Sequence, residues 1–148
     1  MILISHRGNI DGPSTALENK PGYIDSTLQE GYDVEIDIWV IEGTIYLGHD
    51  EHQYTINQNW LNERADKIWI HCKNIEAVEW FHVISGFNYF WHEEDKMTLT
   101  SKNYIWAYPG IDIKGSIAVL PELYNNDIKN RIGICSDYIG KYYSETNR

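Results

Sequence analysis

The stretch Asp33-Val34-Glu35-Ile36-Asp37-Ile38-Trp39-Val40 alternates between acidic and apolar side chains from Asp33 to Ile38 and continues with Trp39 and Val40. Successive residues of a strand point to opposite faces, so Val34, Ile36, Ile38 and Val40 share one face and Glu35 and Asp37 the other. The apolar face calls for a covering layer. The acidic face can aim two carboxylates at one place, and such hard oxygen ligands suit Mg²⁺ or Ca²⁺. A solvated face is the other common use of an isolated Glu-x-Asp.

Working outward from this strand, Pro21 at a first helical turn, Ile24 and Leu28 four apart, and Gly31 as a stop predict a short amphipathic helix before it. Further upstream, Ile2 to Ser5 is an apolar run ending at His6-Arg7-Gly8, and Asn9 to Lys20 is loop-like. Downstream, Glu42-Gly43 turns into Thr44 to Leu47, which ends at Gly48-His49-Asp50. A helix around Trp60 and Leu61, a strand from Lys67 to His71, and a helix from Ile75 to Ser85 capped by Asn74 follow. Phe87 to Trp91, Met97 to Thr100, Tyr104 to Tyr108, Ser116 to Leu120 and Ile132 to Cys135 are short β-type runs.

Strand starts near residues 2, 33, 67 and 87 leave room for crossover helices, whereas the later ones mostly do not. An α/β fold follows, with βα units in the first half and loop-joined strands in the second. In parallel βα units the functional residues gather at strand C-terminal ends. His6-Arg7, Glu35/Asp37, His71/Lys73, His92-Glu93 and Asp137 all fall there, which implies one cleft.

The 148 residues form a single domain, 1–148, and 43% hydrophobic residues suffice for a core. A formal charge of −10 repels phosphate backbones and anionic membrane faces, so nucleic acid is not the expected partner. There is no apolar run long enough to span a membrane. The start lacks a basic segment and a cleavage site and reads as a first strand, so a cytoplasmic location is expected. Cys72 and Cys135 are expected to be free, buried thiols.

Taken singly, His6 and His49 are ordinary histidines. In combination, His6-Arg7-Gly8, Glu18-Asn19, Asp33-Val-Glu-Ile-Asp37 and Gly48-His49-Asp50 resemble, in order and spacing, the glycerophosphodiester phosphodiesterase family, within the phospholipase-C-like phosphodiesterase barrels. The resemblance implies that His6 and His49 are the catalytic pair. It implies that Glu35 and Asp37 are metal ligands, that Glu18 of the first loop also lies at the metal site and helps to hold the ion, and that Arg7 contacts phosphate. Lys73 matches the basic residue of the third strand, which would neutralise charge in the transition state. Trp106, in Tyr104-Ile-Trp-Ala-Tyr108, resembles a substrate-packing aromatic, with a core role as the alternative. Gly133-Ile-Cys-Ser-Asp137 resembles the closing strand, with Asp137 making a structural hydrogen bond at the rim.

Two departures stand out. His71 occupies a position where the family carries a carboxylate, and imidazole suits Zn²⁺ or Mn²⁺ better than Ca²⁺. Either the metal preference has moved, or His71 is no ligand, or His92 and Glu93 complete the shell. The chain is also shorter than the roughly 200 to 250 residues or more of such barrels. The expected architecture is therefore a reduced or incomplete TIM-type (β/α) barrel with helices mainly in the first half. Loops or a second copy of the chain, as a homodimer, would cover its bare strands.

The expected activity is metal-dependent hydrolysis of a small glycerophosphodiester by two-histidine acid/base chemistry, with Mg²⁺ or Ca²⁺ as cofactor and Mn²⁺ or Zn²⁺ as alternatives. The rivals are a non-catalytic module that binds a phosphate ligand or a partner, and a metal-independent cyclising lyase.

Overall fold

The apolar run that opens the chain forms β1 (Ile2–His6), the middle of a ten-stranded sheet in a computed structural model that describes residues 1–147. The stretch quoted first is β2 (Asp33–Ile41), reached through α1 (Pro21–Gln29). It continues into β3 (Thr44–Leu47), β4 (Tyr54–Ile56), α2 (Gln58–Asn62), β5 (Ile68–Cys72) and α3 (Ile75–Val83). The remainder comprises β6 (Asn88–Phe90), β7 (Met97–Leu99), β8 (Ile105–Ala107), β9 (Ile117–Val119), β10 (Gly133–Ser136) and α4 (Ile139–Thr146).

Parallel pairing runs β8-β9-β10-β1-β2-β5-β6. β3 and β4 extend β2 as antiparallel strands, and β7 lies antiparallel on β8. The long β2 makes this possible, because residues 33–35 pair with β1 while residues 38–41 pair with β3 on the same edge.

This architecture corrects the expected TIM-type barrel. The strands form a curled, mixed sheet, a half-barrel, and among the described residues no strand pairing joins β6 to β7 or β8. The helices are not concentrated in the first half either: α1 and α2 precede residue 74, and α3 and α4 follow it. The reason is the character of the connections. Beyond β6 the connections at 91–96 and 108–116 are too short for a crossover helix, 100–104 joins antiparallel β7 and β8, and 120–132 holds only the 3₁₀ turn Pro121–Leu123, so outer helices are missing where a full barrel needs them.

Three apolar clusters fill the curl and its outer side. Outside, Val34, Ile36, Ile38 and Val40 pack with Ile68 and Ile70 under Ile24, Leu61, Ala77 and Phe81 of the three early helices. Phe81 is fully buried, and its loss to Ala would cost about 3–5 kcal/mol. Asn74 fixes α3 to the sheet: its Oδ1 accepts from Ala77 N and Val40 N, and its Nδ2 donates to Val40 O. Inside the curl, Ile4, Trp69, Phe90, Trp106, Ile117 and Cys135 form the floor. Beside β10, Ile134 packs with Ile139 and Tyr142 of α4 and with Tyr32. No helix among the described residues is long and apolar enough to cross a membrane.

Candidate functional site

The inner face changes character within one step of the pleat. Ile4, Trp69 and Cys135 belong to the apolar floor, and two residues on from each stand His6, His71 and Asp137. Residues two apart on a strand share a face, so the floor positions these polar groups directly above it. Register does the rest, setting His6 opposite Glu35 and Asp37 opposite His71.

Glu35 and Asp37 are 2% and 0% exposed. Asp37 is held from several sides. Asn19 donates Nδ2–H to its Oδ2 at 2.9 Å and accepts from its backbone N–H at 3.0 Å. Arg7 Nε lies 3.1 Å from Oδ2, while His71 Nδ1 and Lys73 Nζ lie 3.3 and 3.8 Å from Oδ1. Burial favours the neutral acid, but the His71 contact and the charges of Arg7 and Lys73 outweigh it and hold Asp37 well below the usual carboxylate range. Burial and the neighbouring Asp37 charge push Glu35 the other way, upward. Glu35 Oε2 and Asp37 Oδ1 are buried without a hydrogen-bond partner. Ligand atoms of Glu35, Asp37 and His71 lie within 4.8 Å of one another, a spacing that one cation can bridge.

His6 is oriented by a residue far away in sequence. Its Nδ1 lies 2.8 Å from Asp137 Oδ1, and its Nε2 lies 3.9 Å from Glu35 Oε2. Burial opposes its charged form, yet the Asp137 hydrogen bond and the Glu35 charge outweigh that and raise its pKa. His49 stands at the rim, 38% exposed, with Nδ1 2.8 Å from Asp50 Oδ1. Partial burial lowers its pKa, the charges of Arg7 and Lys73 adding to this against Asp37. The turn that carries it is pinned over β2, because Gly48 N donates to Asp37 O and Trp39 Nε1 donates to Gly48 O.

Not every sequence-predicted residue joins this cluster. Glu18 is engaged by Arg7 Nη1 at 3.3 Å and Asn9 Nδ2 at 2.9 Å, and its carboxylate is not part of the Glu35–Asp37–His71 triad. Arg7 is neutralised by Asp37 and Glu18. Trp106 is 4% exposed and packs on Trp69 and Phe90, which is the core role. His92 and Glu93 do not complete the shell: the His92 ring lies against Tyr108, Glu93 is exposed, and His92 contributes only its carbonyl, 2.9 Å from His71 Nε2.

Sequence reasoning missed Asn9 and Glu122. Buried Asn9 donates to both Glu18 and Asp137, tying the first loop to β10. Glu122 accepts from Ser136 Oγ and from Asp137 N, fixing the backbone that aims Asp137 at His6. Asn9 sits in an irregular loop and Glu122 in a single 3₁₀ turn, Pro121–Leu123, so no periodicity marks either.

No family model, curated protein or solved structure matches the chain.

Proposed function

We propose that the chain is a metal-dependent phosphodiesterase acting on a small glycerophosphodiester-type substrate. The observation that carries this reading is the convergence, at one end of one sheet, of His6, Glu35, Asp37, His71 and Lys73, with His49 at the rim. A divalent cation held by Glu35 and Asp37 would polarise a phosphoryl oxygen and offset its charge. The donor set fits one, since ligand atoms of Glu35, Asp37 and His71 lie within 4.8 Å of one another and Glu35 Oε2 and Asp37 Oδ1 are buried without a hydrogen-bond partner.

The chain's own residues supply the remaining chemistry. Asp137 holds Nδ1–H of His6, so Nε2 is the nitrogen turned to the cleft. Asp50 engages Nδ1 of His49 in the same way and leaves its Nε2 for a second proton transfer. One imidazole takes the proton of the attacking hydroxyl and the other delivers a proton to the leaving alkoxide. Lys73 neutralises charge gathering on the phosphoryl oxygens, while Arg7, through Asp37 and Glu18, keeps the first loop in place. The acidic surface favours a compact soluble diester over anionic polymers. The two unpaired buried thiols fit a reducing compartment, and a cytoplasmic setting belongs to the same reading.

The test is turnover of a glycerophosphodiester panel and one chromogenic diester by protein treated with EDTA and then given Mg²⁺, Ca²⁺, Mn²⁺ or Zn²⁺. Activity restored by metal and reduced by several orders of magnitude in His6→Ala and His49→Ala is expected. Activity that survives EDTA would point to the cyclising lyase. A folded protein that binds inorganic phosphate without turnover under any metal would overturn the enzyme reading in favour of a binding module.

A further inference from the structure

We propose that His71 binds the cation through Nδ1, and that this third ligand makes the centre selective for a first-row transition ion, Zn²⁺ or Mn²⁺, over Ca²⁺ and Mg²⁺. The inference rests on Glu35 and Asp37 being a cation site and deepens that reading by assigning the ligand that sets the ion.

The argument starts from a hydrogen bond on the far side of the ring. His71 Nε2 lies 2.9 Å from the His92 carbonyl oxygen. A carbonyl only accepts, so Nε2 carries the hydrogen. The ring stacks on Phe90 at 5.1 Å between centroids and 17° between planes, which holds its plane, and turning it over would give up the bond from Nε2 to the His92 carbonyl. Nδ1 is therefore fixed on the side of the carboxylates, 3.3 Å from Asp37 Oδ1 and 3.8 Å from Glu35 Oε1.

Hydrogen bonds do not account for what Nδ1 meets. Asp37 Oδ1 has no aligned donor, and Glu35 Oε2 has none either, although both are buried. Buried acceptors without donors are costly unless something positive lies between them. An imidazole whose outer N–H is held by a backbone carbonyl, with its inner nitrogen turned to two carboxylates, is the arrangement in which protein matrices orient metal-bound histidine.

The donor set then selects the ion. An all-oxygen site suits Ca²⁺ and Mg²⁺, whereas a borderline nitrogen beside two carboxylates favours the transition ions. Three protein ligands also leave positions open for solvent or a substrate oxygen.

The experiment uses the full chain stripped with EDTA, titrated calorimetrically with ZnCl₂, MnCl₂ or CaCl₂ as wild type, His71→Gln, His71→Glu and Asp37→Asn. Pulsed electron paramagnetic resonance of the Mn²⁺-loaded wild type reads nitrogen coordination directly, so the test survives a variant that fails to fold. One equivalent of Zn²⁺ or Mn²⁺, lost in Asp37→Asn, with ¹⁴N coupling in the Mn²⁺ spectrum, is the expected result. His71→Gln should weaken Zn²⁺ binding by at least the roughly 10- to 100-fold that loss of an outer-shell partner alone costs, and His71→Glu should shift preference toward Ca²⁺. Equal affinities in wild type and His71→Gln, without ¹⁴N coupling, would overturn the assignment of His71 and leave the carboxylate cation site standing. No ion binding by folded wild type would remove that site itself.

Discussion

His6 Nδ1 lies 2.8 Å from the Asp137 carboxylate across 131 residues of chain, joining the end of β1 to the end of β10. The pair selects the tautomer of His6 and leaves Nε2 for the cleft. In the metal-free protein His6 should titrate above the ordinary histidine value, and Asp137→Asn should lower its midpoint, as followed by NMR of the imidazole C2 proton. The linkage has two sides. Because the folded-state pKa of His6 is raised, its contribution to stability is full below the unfolded-state pKa and disappears as pH rises through the folded one. Asp137 behaves oppositely: burial favours its neutral form, but the His6 and Asn9 hydrogen bonds hold its pKa down, so its contribution disappears as pH falls through that lowered value. An unchanged His6 midpoint in Asp137→Asn would count against the coupling.

Asn19 carries a different kind of constraint. It is buried at φ 61° and clamps both the backbone N–H and the carboxylate of Asp37. Asn tolerates this left-handed backbone better than most residues, and Gly tolerates it best. Asn19→Gly should lose about 1–3 kcal/mol from the unsatisfied groups left on Asp37. Asn19→Ala should lose about 1 kcal/mol more through backbone strain. Urea midpoints in the order wild type, Gly, Ala are expected; an Ala variant as stable as wild type would show that neither effect operates.

The legible part of this molecule lies where side chains follow a period. The alternation through Val34, Glu35, Ile36 and Asp37 shows which residues of β2 face the cleft, and Pro21, Gly31 and Asn74 mark helix ends that the structure has. His6, His71 and Asp137 are legible as polar residues at or just past the ends of apolar runs. The curl of the sheet is not legible, because which strand pairs with which depends on contacts far apart in sequence. β4 escapes the sequence reading although strands equally short, such as β8, do not, and α4 escapes it because neither a Pro, as in α1, nor a capping side chain marks its start. Glu18 illustrates the limit of motif spacing: spacing places it near the site, but only the hydrogen bonds of Arg7 and Asn9 show where its carboxylate is spent.

Cys72 and Cys135 are buried in the outer and inner clusters. Burial pushes the Cys72 thiol up to about 12, and burial with nearby carboxylates pushes Cys135 well above its ordinary value. The thiolate is the reactive form, so neither should react with Ellman's reagent in the native protein. Two equivalents should be released after denaturation, and rapid native reaction of either would mean that its cluster opens easily.

Gly48 links the fold to the rim histidine. At φ 151° a Cβ here would stand 2.0 Å from Glu51 O and 3.1 Å from Gln53 N, both backbone atoms that cannot swing aside as a flexible side chain would. The same turn is held below by Gly48 N to Asp37 O and by Trp39 Nε1 to Gly48 O. Gly48→Ala must therefore break the 48–53 turn or detach it from β2, at a cost of about 2 kcal/mol or more. His49 follows Gly48 directly, so its imidazole loses its place while Glu35, Asp37 and His71, on β2 and β5, keep theirs. The expected outcome is a variant that still binds a divalent cation, as read by calorimetry, but whose phosphodiesterase turnover falls toward that of His49→Ala. A Gly48→Ala protein with normal stability and normal turnover would mean that the turn adjusts freely and that the position of His49 does not depend on it.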